Sequence, residues 1–373
     1  MTAFDIRYPL TFSATYRNAP QGAFSFPMLH TLRRMRALLI VLAIAALAGC
    51  SRAPSPERLQ GPTMGTTYSV VVTRLPSGVT RESLQSTIDE VLADANNHLS
   101  TYDRTSEISR FNDSTSTDWI PVSPQLFEVV AIAREVSRAT GGAFDITVGP
   151  LVRRWGFGGG SEDARWPEPA EVARLREFVG FEKLELQPAG PFLRKTVGDL
   201  QIDVGAIAPG LAVDQIAERF EALGVRDYLV ELGGEVRGLG RSPAGRPWRV
   251  AVEAPLAGER RPYALVELDG PGVSTSGDYR DFHIVDGKKL SHTIDPRTGA
   301  PVAHALASVC VVHRSTARAD AYATALMVLG PEDGMKLAER LGLAALFIER
   351  AVTNGEFRAQ ATPEFERLRR PLE

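Results

Sequence analysis

The sequence predicts an α+β fold, and three observations support that class. Hydrophobic residues make up 44% of the 373 residues and charged residues 23%, a globular composition that excludes a disordered or fibrous chain. The 33 glycines and 25 prolines indicate many turns and loops. Strand-like and helical patterns are mixed along the chain, many of them separated by hairpin-length turns, which favours α+β over a regular doubly wound sheet.

The first fifty residues have the pattern of a secretory signal. The basic segment 33–36 precedes an unbroken apolar run over 37–48, which is too short to span a bilayer as a permanent helix. The run ends in Leu-Ala-Gly-Cys at Cys50, which is similar to the bacterial lipobox, where the cysteine is lipidated and becomes the new N-terminus. A plain signal peptide or a buried helix is the alternative.

We therefore predict a signal peptide over residues 1–49, with Met28 or Met35 as alternative translation starts. A lipidated Cys50 and a polar tether over 50–60 would follow. The other cysteine, Cys310, lies in a strand-like run and is interpreted as a packed core thiol. With Cys50 lipidated, no intrachain disulfide is expected.

Helices are predicted where apolar residues recur at three- and four-residue spacing between start and stop signals. Ser123-Pro124 offers a cap and a first-turn proline, and Gly141 ends that helix. Ser315 caps a helix that Gly330-Pro331 ends. The predicted helices span 81–99, 124–140, 169–179, 209–223, 315–329 and 331–341. Alternating or β-branched runs predict strands at 68–73, 199–204, 227–232, 248–253, 263–268, 282–286, 306–312 and 344–349.

Several site types are excluded by the sequence. There is no zinc-ligand spacing, no Walker loop, no Gly-x-Ser-x-Gly elbow and no complete Gly-x-Gly-x-x-Gly motif after a strand. The formal net charge of −3 argues against a nucleic-acid-binding protein, since such proteins usually carry a basic balance.

Three segments carry residues suited to chemistry. Asp320 and Thr324 are four residues apart on a predicted helix, so they project from one face and offer two hard oxygen ligands of the kind Mg²⁺ takes. The alternative is an aspartate favoured by the helix dipole and a threonine bonded back to a carbonyl.

The second segment, 203–210, reads as a strand end, a small-residue turn and a helix start, where free N–H groups favour phosphate. The alternative is an ordinary strand-to-helix turn. The third segment, 291–299, places His292 just before a polar turn. His292 is a candidate base or phosphate partner, and a purely structural histidine is the alternative.

Taken together, eight blocks in the same order resemble the ApbE family of flavin transferase lipoproteins. The last block, Ala-Asp-Ala-Tyr-Ala-Thr-Ala-Leu, spans 319–326 and contains the Asp320–Thr324 pair. The blocks lie at 61–68, 99–112, 142–151, 203–210, 231–235, 274–279, 291–299 and 319–326. The resemblance implies a two-lobed α+β architecture of mixed sheet and helix, with a catalytic domain over residues 61–365.

The resemblance also implies a role for each matched position. Asp320 and Thr324 would bind Mg²⁺, with the carbonyl oxygen of Ala206 as a further ligand. His292 is also the best candidate for a general base. Positions implied to contact the substrate FAD are Met64, Tyr102, Ala143, Phe144, Asp145, Asp203 and His292.

The implied activity is that of an Mg²⁺-dependent FAD:protein FMN transferase, which moves FMN onto a Thr or Ser hydroxyl of a target flavoprotein and releases AMP. The implied partners are target flavoproteins such as subunits of membrane redox complexes, and a membrane reached through the lipid anchor, facing the periplasm. An FAD pyrophosphatase and a non-enzymatic flavin-binding lipoprotein are the alternatives. The family often has Lys or Glu where this chain has Pro209, so Pro209 is left out of the binding set.

Overall fold

The computed structural model describes residues 55–157, 166–187, 189–256, 258–280, 282–285, 288–351 and 356–372. The predicted signal peptide and the lipidation site Cys50 lie outside the described residues, as does most of the glycine-rich loop over 156–160. The tether predicted over 50–60 ends earlier than expected. The first strand begins at Glu57, because Leu59 is buried against the core.

The described helices and strands follow one another in a mixed order. The helices are α1 (Arg81–Leu99), α2 (Glu107–Asp113), α3 (Pro124–Ala139), α4 (Gly149–Arg154), α5 (Pro169–Arg176), α6 (Ala208–Ala222), α7 (Thr316–Leu341) and α8 (Pro363–Leu368). The first strands are β1 (Glu57–Thr63), β2 (Thr66–Val72), β3 (Ile120–Pro121), β4 (Leu184–Gln187), β5 (Phe192–Lys195), β6 (Tyr228–Leu232), β7 (Glu235–Leu239), β8 (Trp248–Glu253) and β9 (Pro262–Leu268). The others are β10 (Gly272–Gly277), β11 (Phe282–Val285), β12 (Lys288–Ser291), β13 (Ile294–Asp295), β14 (Ala300–Pro301), β15 (Leu306–His313), β16 (Ala344–Arg350), β17 (Phe357–Ala361) and β18 (Arg369–Arg370).

An eight-stranded antiparallel sheet organises the fold. Its strand order is β1-β2-β6-β7-β10-β15-β16-β17. Along β15, Val309 and Val311 pack into the helical core on one face, and Cys310 and Val312 pack into the core on the other face. This two-residue alternation lets both faces of the sheet be covered.

Helices cover one face of the sheet, and a small second sheet covers the other. α1 and α6 pack on β1, β2 and β6, while α3 and α7 pack on the middle of the sheet. The three-stranded sheet β18-β9-β8 and helix α8 close the opposite face. The α+β class is therefore confirmed.

Most predicted elements are confirmed, and the exceptions have local causes. The helix predicted at 81–99 has the same bounds as α1, and Thr80 caps it. The two helices predicted on either side of Gly330 form a single element, α7, that is kinked at Gly330, where φ is 79°. The strand predicted at 199–204 is wrong, because this segment turns at Asp203 and pairs with none of the described strands. Cys310 is a free, buried thiol, and burial raises its pKa to about 12, which confirms its core role.

Asp214 on α6 fixes the start of α7. Its Oδ1 accepts from the backbone N–H of Thr316 and from Arg237 Nη1, both at 2.9 Å. Its Oδ2 accepts from Ser315 Oγ at 2.9 Å and from the N–H of Ala317 at 3.1 Å. A carboxylate at a helix N-terminus satisfies free N–H groups and complements the helix dipole. The helix that carries Asp320 and Thr324 is thus held at a fixed position.

Asp214→Ala should lower the free energy of unfolding by about 3–5 kcal/mol, because it removes the closer of the two carboxylate partners of Arg237 and leaves the donors at the start of α7 without their acceptor. Urea unfolding measures this loss. Glu135→Ala is the matched control, since Glu135 pairs with Arg318 on the same helix at an exposed position and should cost at most about 1 kcal/mol. Equal losses for the two variants would contradict the anchoring role of Asp214.

Within the part of the chain that the structure describes, no helix combines the length and apolar character that crossing a bilayer requires.

Candidate functional site

A cavity of about 430 Å³ opens where several chain segments meet beside α7. This volume lies within the usual range for small-molecule sites. Nine of the residues singled out in the sequence line it: Tyr102, Ala143, Phe144, Asp145, Asp203, Ala206, His292, Asp320 and Thr324. They come from five separate parts of the chain, so the fold brings together residues that no local pattern connects.

Asp320 is the most unusual group in the cavity. Its side chain is buried, Oδ1 accepts from Ser274 Oγ at 3.4 Å, and Oδ2 has no hydrogen-bond partner among the described residues. Glu235 accepts from the same serine hydroxyl at 3.2 Å, so the two carboxyl groups lie on either side of Ser274. The pKa of Asp320 is raised well above its usual range, mainly by burial and secondly by repulsion from Glu235. Burial likewise raises the pKa of Glu235 to about 7.

This arrangement fits a divalent cation. A buried carboxylate oxygen without a partner is costly, and two facing carboxylates repel each other. A hard cation beside Asp320 would bind the oxygen that has no partner and would reduce the repulsion between the two carboxylates. Thr324 lines the same cavity one helical turn further along α7. No group of three or more His, Cys, Asp or Glu side chains among the described residues is placed to hold a metal. Hydroxyl and carbonyl oxygens, such as those of Thr324 and Ala206, would therefore have to complete such a site.

His292 follows strand β12 and is half-buried at the cavity wall. Its ring meets the ring of Phe157 edge-on, with centroids 6.3 Å apart. The next residue is fixed by a hydrogen bond from the Thr293 N–H to Ser291 Oγ at 3.1 Å. The imidazole is thereby placed on a defined wall of the cavity, facing the same space as Asp320.

Asp203 and Asp145 both shape the backbone of the cavity. Asp203 Oδ1 accepts from the Gly205 N–H at 2.8 Å and so forms the turn that presents Ala206. Asp145 is buried, and its carboxylate accepts from Thr147 and from the Phe181 N–H at 2.7 Å. The hydrogen bonds of Asp145 tie two chain segments together.

Tyr102 stands at the mouth of the cavity with 72% of its surface exposed. A ring at a cavity mouth can stack on a planar ligand. Phe144 and Ala143 are buried and form part of the floor.

Met64 is the one sequence-predicted site residue that is not among the cavity-lining residues. It occupies the tight turn between β1 and β2 with φ of 48° and packs against two of the hydrophobic cores. Pro209 lies in the first turn of α6, as its fixed φ allows.

Sequence reasoning missed Glu235, Ser274 and Arg280 as individual site residues. Glu235 is the first residue of β7, and Ser274 lies on β10. Pairing of β10 with β7 at Gly272 and Val273 makes these two residues neighbours. Arg280 also lines the cavity. For Glu235 and Ser274 the available signal was their place in the ordered blocks at 231–235 and 274–279, whereas Arg280 lies outside every block.

Comparisons with known proteins agree on one family. The model of the ApbE family matches residues 64–347. The FAD:protein FMN transferase of Vibrio cholerae is 39% identical over 333 residues, which are 89% of this chain and 98% of that protein. The FAD:protein FMN transferase of Haemophilus influenzae is 37% identical, over 90% of this chain and 99% of that protein.

Solved structures give the same result for the fold. The flavin transferase ApbE from Vibrio cholerae has a TM-score of 0.77 at 38% identity, covering 84% of this chain and 99% of that one. The flavinyl transferase ApbE of Pseudomonas stutzeri, in its apo form, has a TM-score of 0.76 at 42% identity, covering 84% of this chain and 96% of that one.

Proposed function

The chain belongs to the ApbE family, and from this premise we propose that it is an FAD:protein FMN transferase. It attaches FMN through a phosphoester to a Thr or Ser hydroxyl of a target flavoprotein. The observation that carries the proposal is a single cavity in which the buried carboxylate oxygen Oδ2 of Asp320, without a hydrogen-bond partner among the described residues, faces the same space as His292.

The proposed reaction exchanges one phosphorus–oxygen bond for another. The acceptor hydroxyl oxygen attacks the FMN-side phosphorus of the FAD pyrophosphate, and a new P–O bond forms. The bond from that phosphorus to the bridging oxygen breaks, and AMP leaves with the electron pair. The hydroxyl proton passes to a base in the cavity.

We assign His292 as the base that accepts this proton. A hydroxyl is a weak nucleophile at neutral pH, and a base within hydrogen-bond reach contributes about 10²–10⁴-fold. An imidazole is suited to this role because its ordinary pKa lies near neutrality. The edge-on contact with Phe157 keeps the ring in place on the wall.

Asp320, Thr324 and the carbonyl oxygen of Ala206 are the residues that would hold Mg²⁺. The ion, when bound, neutralises pyrophosphate charge that repels the incoming oxygen and stabilises charge on the leaving phosphate. Asp320 contributes a carboxylate oxygen that no protein donor occupies among the described residues. Asp214 keeps the start of α7 in position, and thereby the ligands that follow it.

The FAD itself would lie against residues of the cavity wall. Tyr102 offers an exposed ring for stacking on flavin or adenine, and Phe144 offers an apolar floor. Asp203 fixes the tight turn that presents Ala206 to the cavity just before α6.

The leader pattern supports a location for this activity. A lipidated Cys50 would anchor the catalytic domain at the bacterial cell envelope, on the membrane side that faces the periplasm. Acceptors would then be flavoproteins exposed to that compartment, such as subunits of membrane redox complexes.

Intact-mass spectrometry of candidate acceptors, incubated with the purified protein, FAD and Mg²⁺, tests the proposal. The expected result is an acceptor heavier by one FMN moiety, with one AMP released per flavin attached. AMP release without acceptor modification would favour an FAD pyrophosphatase. FAD that stays bound and intact for hours in excess Mg²⁺ would favour a non-enzymatic flavin-binding lipoprotein.

A further inference from the structure

Strand β10 has a partly open edge beside the cavity. It pairs with β15 along its whole length, from Gly272 to Gly277. On its other side it pairs with β7 only at Gly272 and Val273. β7 begins at Glu235, after a two-residue turn at Gly233 and Gly234. The last three residues of β10, Thr275 to Gly277, therefore extend past the end of their neighbour.

The hydrogen-bond alternation shows which backbone groups face that open side. The Asp278 N–H donates to the Ala307 carbonyl at 3.1 Å, so even-numbered positions of this stretch bond to β15. Thr275 and Gly277 therefore direct their N–H and C=O groups away from β15. Among the described strands, none pairs with these two residues on that side.

A second cavity lies beside this edge. It has a volume of about 400 Å³, and we refer to it as the outer groove, bounded by Thr67, Gly233, Gly234 and Ala251. The outer groove and the cavity of Asp320 share Thr275, Gly277 and Arg280 as lining residues. The open end of β10 is thus the common wall of both spaces.

We infer that the outer groove and the open edge of β10 bind an extended segment of the acceptor protein by strand addition. This inference rests on the proposed transferase function, which requires a protein hydroxyl to enter the cavity of His292. The N–H and C=O groups of Thr275 and Gly277 on the open side have no pairing strand among those described. A peptide main chain offers the alternating C=O and N–H groups that would pair with them. A strand paired there would run from the outer groove into the cavity.

The composition of the outer groove fits recognition of a main chain. Gly233 and Gly234 turn at its rim without side chains that would obstruct a strand. Its charged groups are balanced, with Glu231 and Glu253 set against Arg260 and Arg280. Recognition would therefore depend on an extended backbone, and a Ser or Thr inside a helix would not be modified.

Backbone methylation of a peptide acceptor tests strand addition directly. The probe is a synthetic peptide spanning the modified Ser or Thr of an acceptor identified by the mass assay, with one amide N-methylated at a time. We expect KM for the peptide to rise about tenfold at two positions that lie two residues apart, with the position between them tolerated. Uniform sensitivity, or none, would overturn strand addition.

A matched pair of variants tests the groove. Thr67 and Ser69 are both exposed on β2 and point to the same face, but only Thr67 borders the outer groove. Thr67→Trp should fill the groove and raise KM for the unmethylated peptide about tenfold, while Ser69→Trp leaves it within twofold. Equal peptide KM values for the two variants would overturn the assignment.

The KM for FAD distinguishes binding of the acceptor in the outer groove from binding of the nucleotide there. It should be the same in wild type, Thr67→Trp and Ser69→Trp. A raised KM for FAD in Thr67→Trp alone would mean that the groove belongs to the nucleotide, which overturns the inference while transfer itself stands. If wild type modifies no acceptor at all, the proposed function fails first.

Discussion

Asp320→Ala is expected to lower Mg²⁺-dependent AMP release and FMN transfer by at least about 10³-fold. The carboxylate is the charged group assigned to the cation, and a bound cation supplies several kcal/mol of transition-state stabilisation. The fold should survive, because the substitution removes a buried carboxylate that Glu235 repels, and Ser274, which loses its long contact of 3.4 Å to Oδ1, keeps Glu235 as an acceptor. Steady-state kinetics at saturating FAD and Mg²⁺, with urea unfolding in parallel, measure both effects.

Two further variants make this result specific. Asp320→Asn keeps the side-chain volume but removes the charge, and it should lose activity almost as fully as Asp320→Ala. Asp333→Ala changes an exposed aspartate on the same helix and should leave turnover and stability nearly unchanged. Near-normal turnover by Asp320→Ala would contradict the metal role.

His292→Ala is expected to lower kcat by about 10²–10⁴-fold and to change KM for FAD by only a few fold, because its assigned role is proton transfer. Single-turnover measurements of AMP release isolate the chemical step. Imidazole added to the buffer should restore part of the rate to this variant.

His283→Ala is the control for His292. The His283 ring stacks on Phe157, with centroids 4.4 Å apart, and it is not among the cavity-lining residues. His283→Ala should lower kcat much less than His292→Ala does. A loss of FAD affinity in His292→Ala with an unchanged chemical rate would make His292 a binding residue only.

The fold could be predicted where the pattern is local. α1 and α3 carry regular apolar stripes and capping residues, and both were predicted closely from these features. β10 was missed because its sequence, Gly-Val-Ser-Thr-Ser-Gly, has few apolar residues, and it is a strand because β15 and β7 pair with it. The segment 199–204 shows the opposite error, since its alternating pattern ends in a turn fixed by Asp203.

The site could be predicted only in part, because some of its residues are brought together by strand pairing and not by local spacing. Helical spacing placed Asp320 and Thr324 on one face, and this local feature survives in α7. The proximity of Glu235 to Asp320 depends on strand pairing between distant parts of the chain, which no spacing rule reveals. Met64 as an FAD contact rests on the resemblance alone and stays a prediction, since its side chain packs against two of the cores and it is not among the cavity-lining residues.

The most direct test is an equilibrium titration of Mn²⁺, a spectroscopic stand-in for Mg²⁺ at oxygen sites, followed by electron paramagnetic resonance in the presence of FAD. The wild-type protein should bind Mn²⁺ in competition with Mg²⁺. Asp320→Ala should bind it at least about 100-fold more weakly, and Thr324→Val should also lose affinity. Unchanged Mn²⁺ affinity in Asp320→Ala would contradict a cation site on this helix.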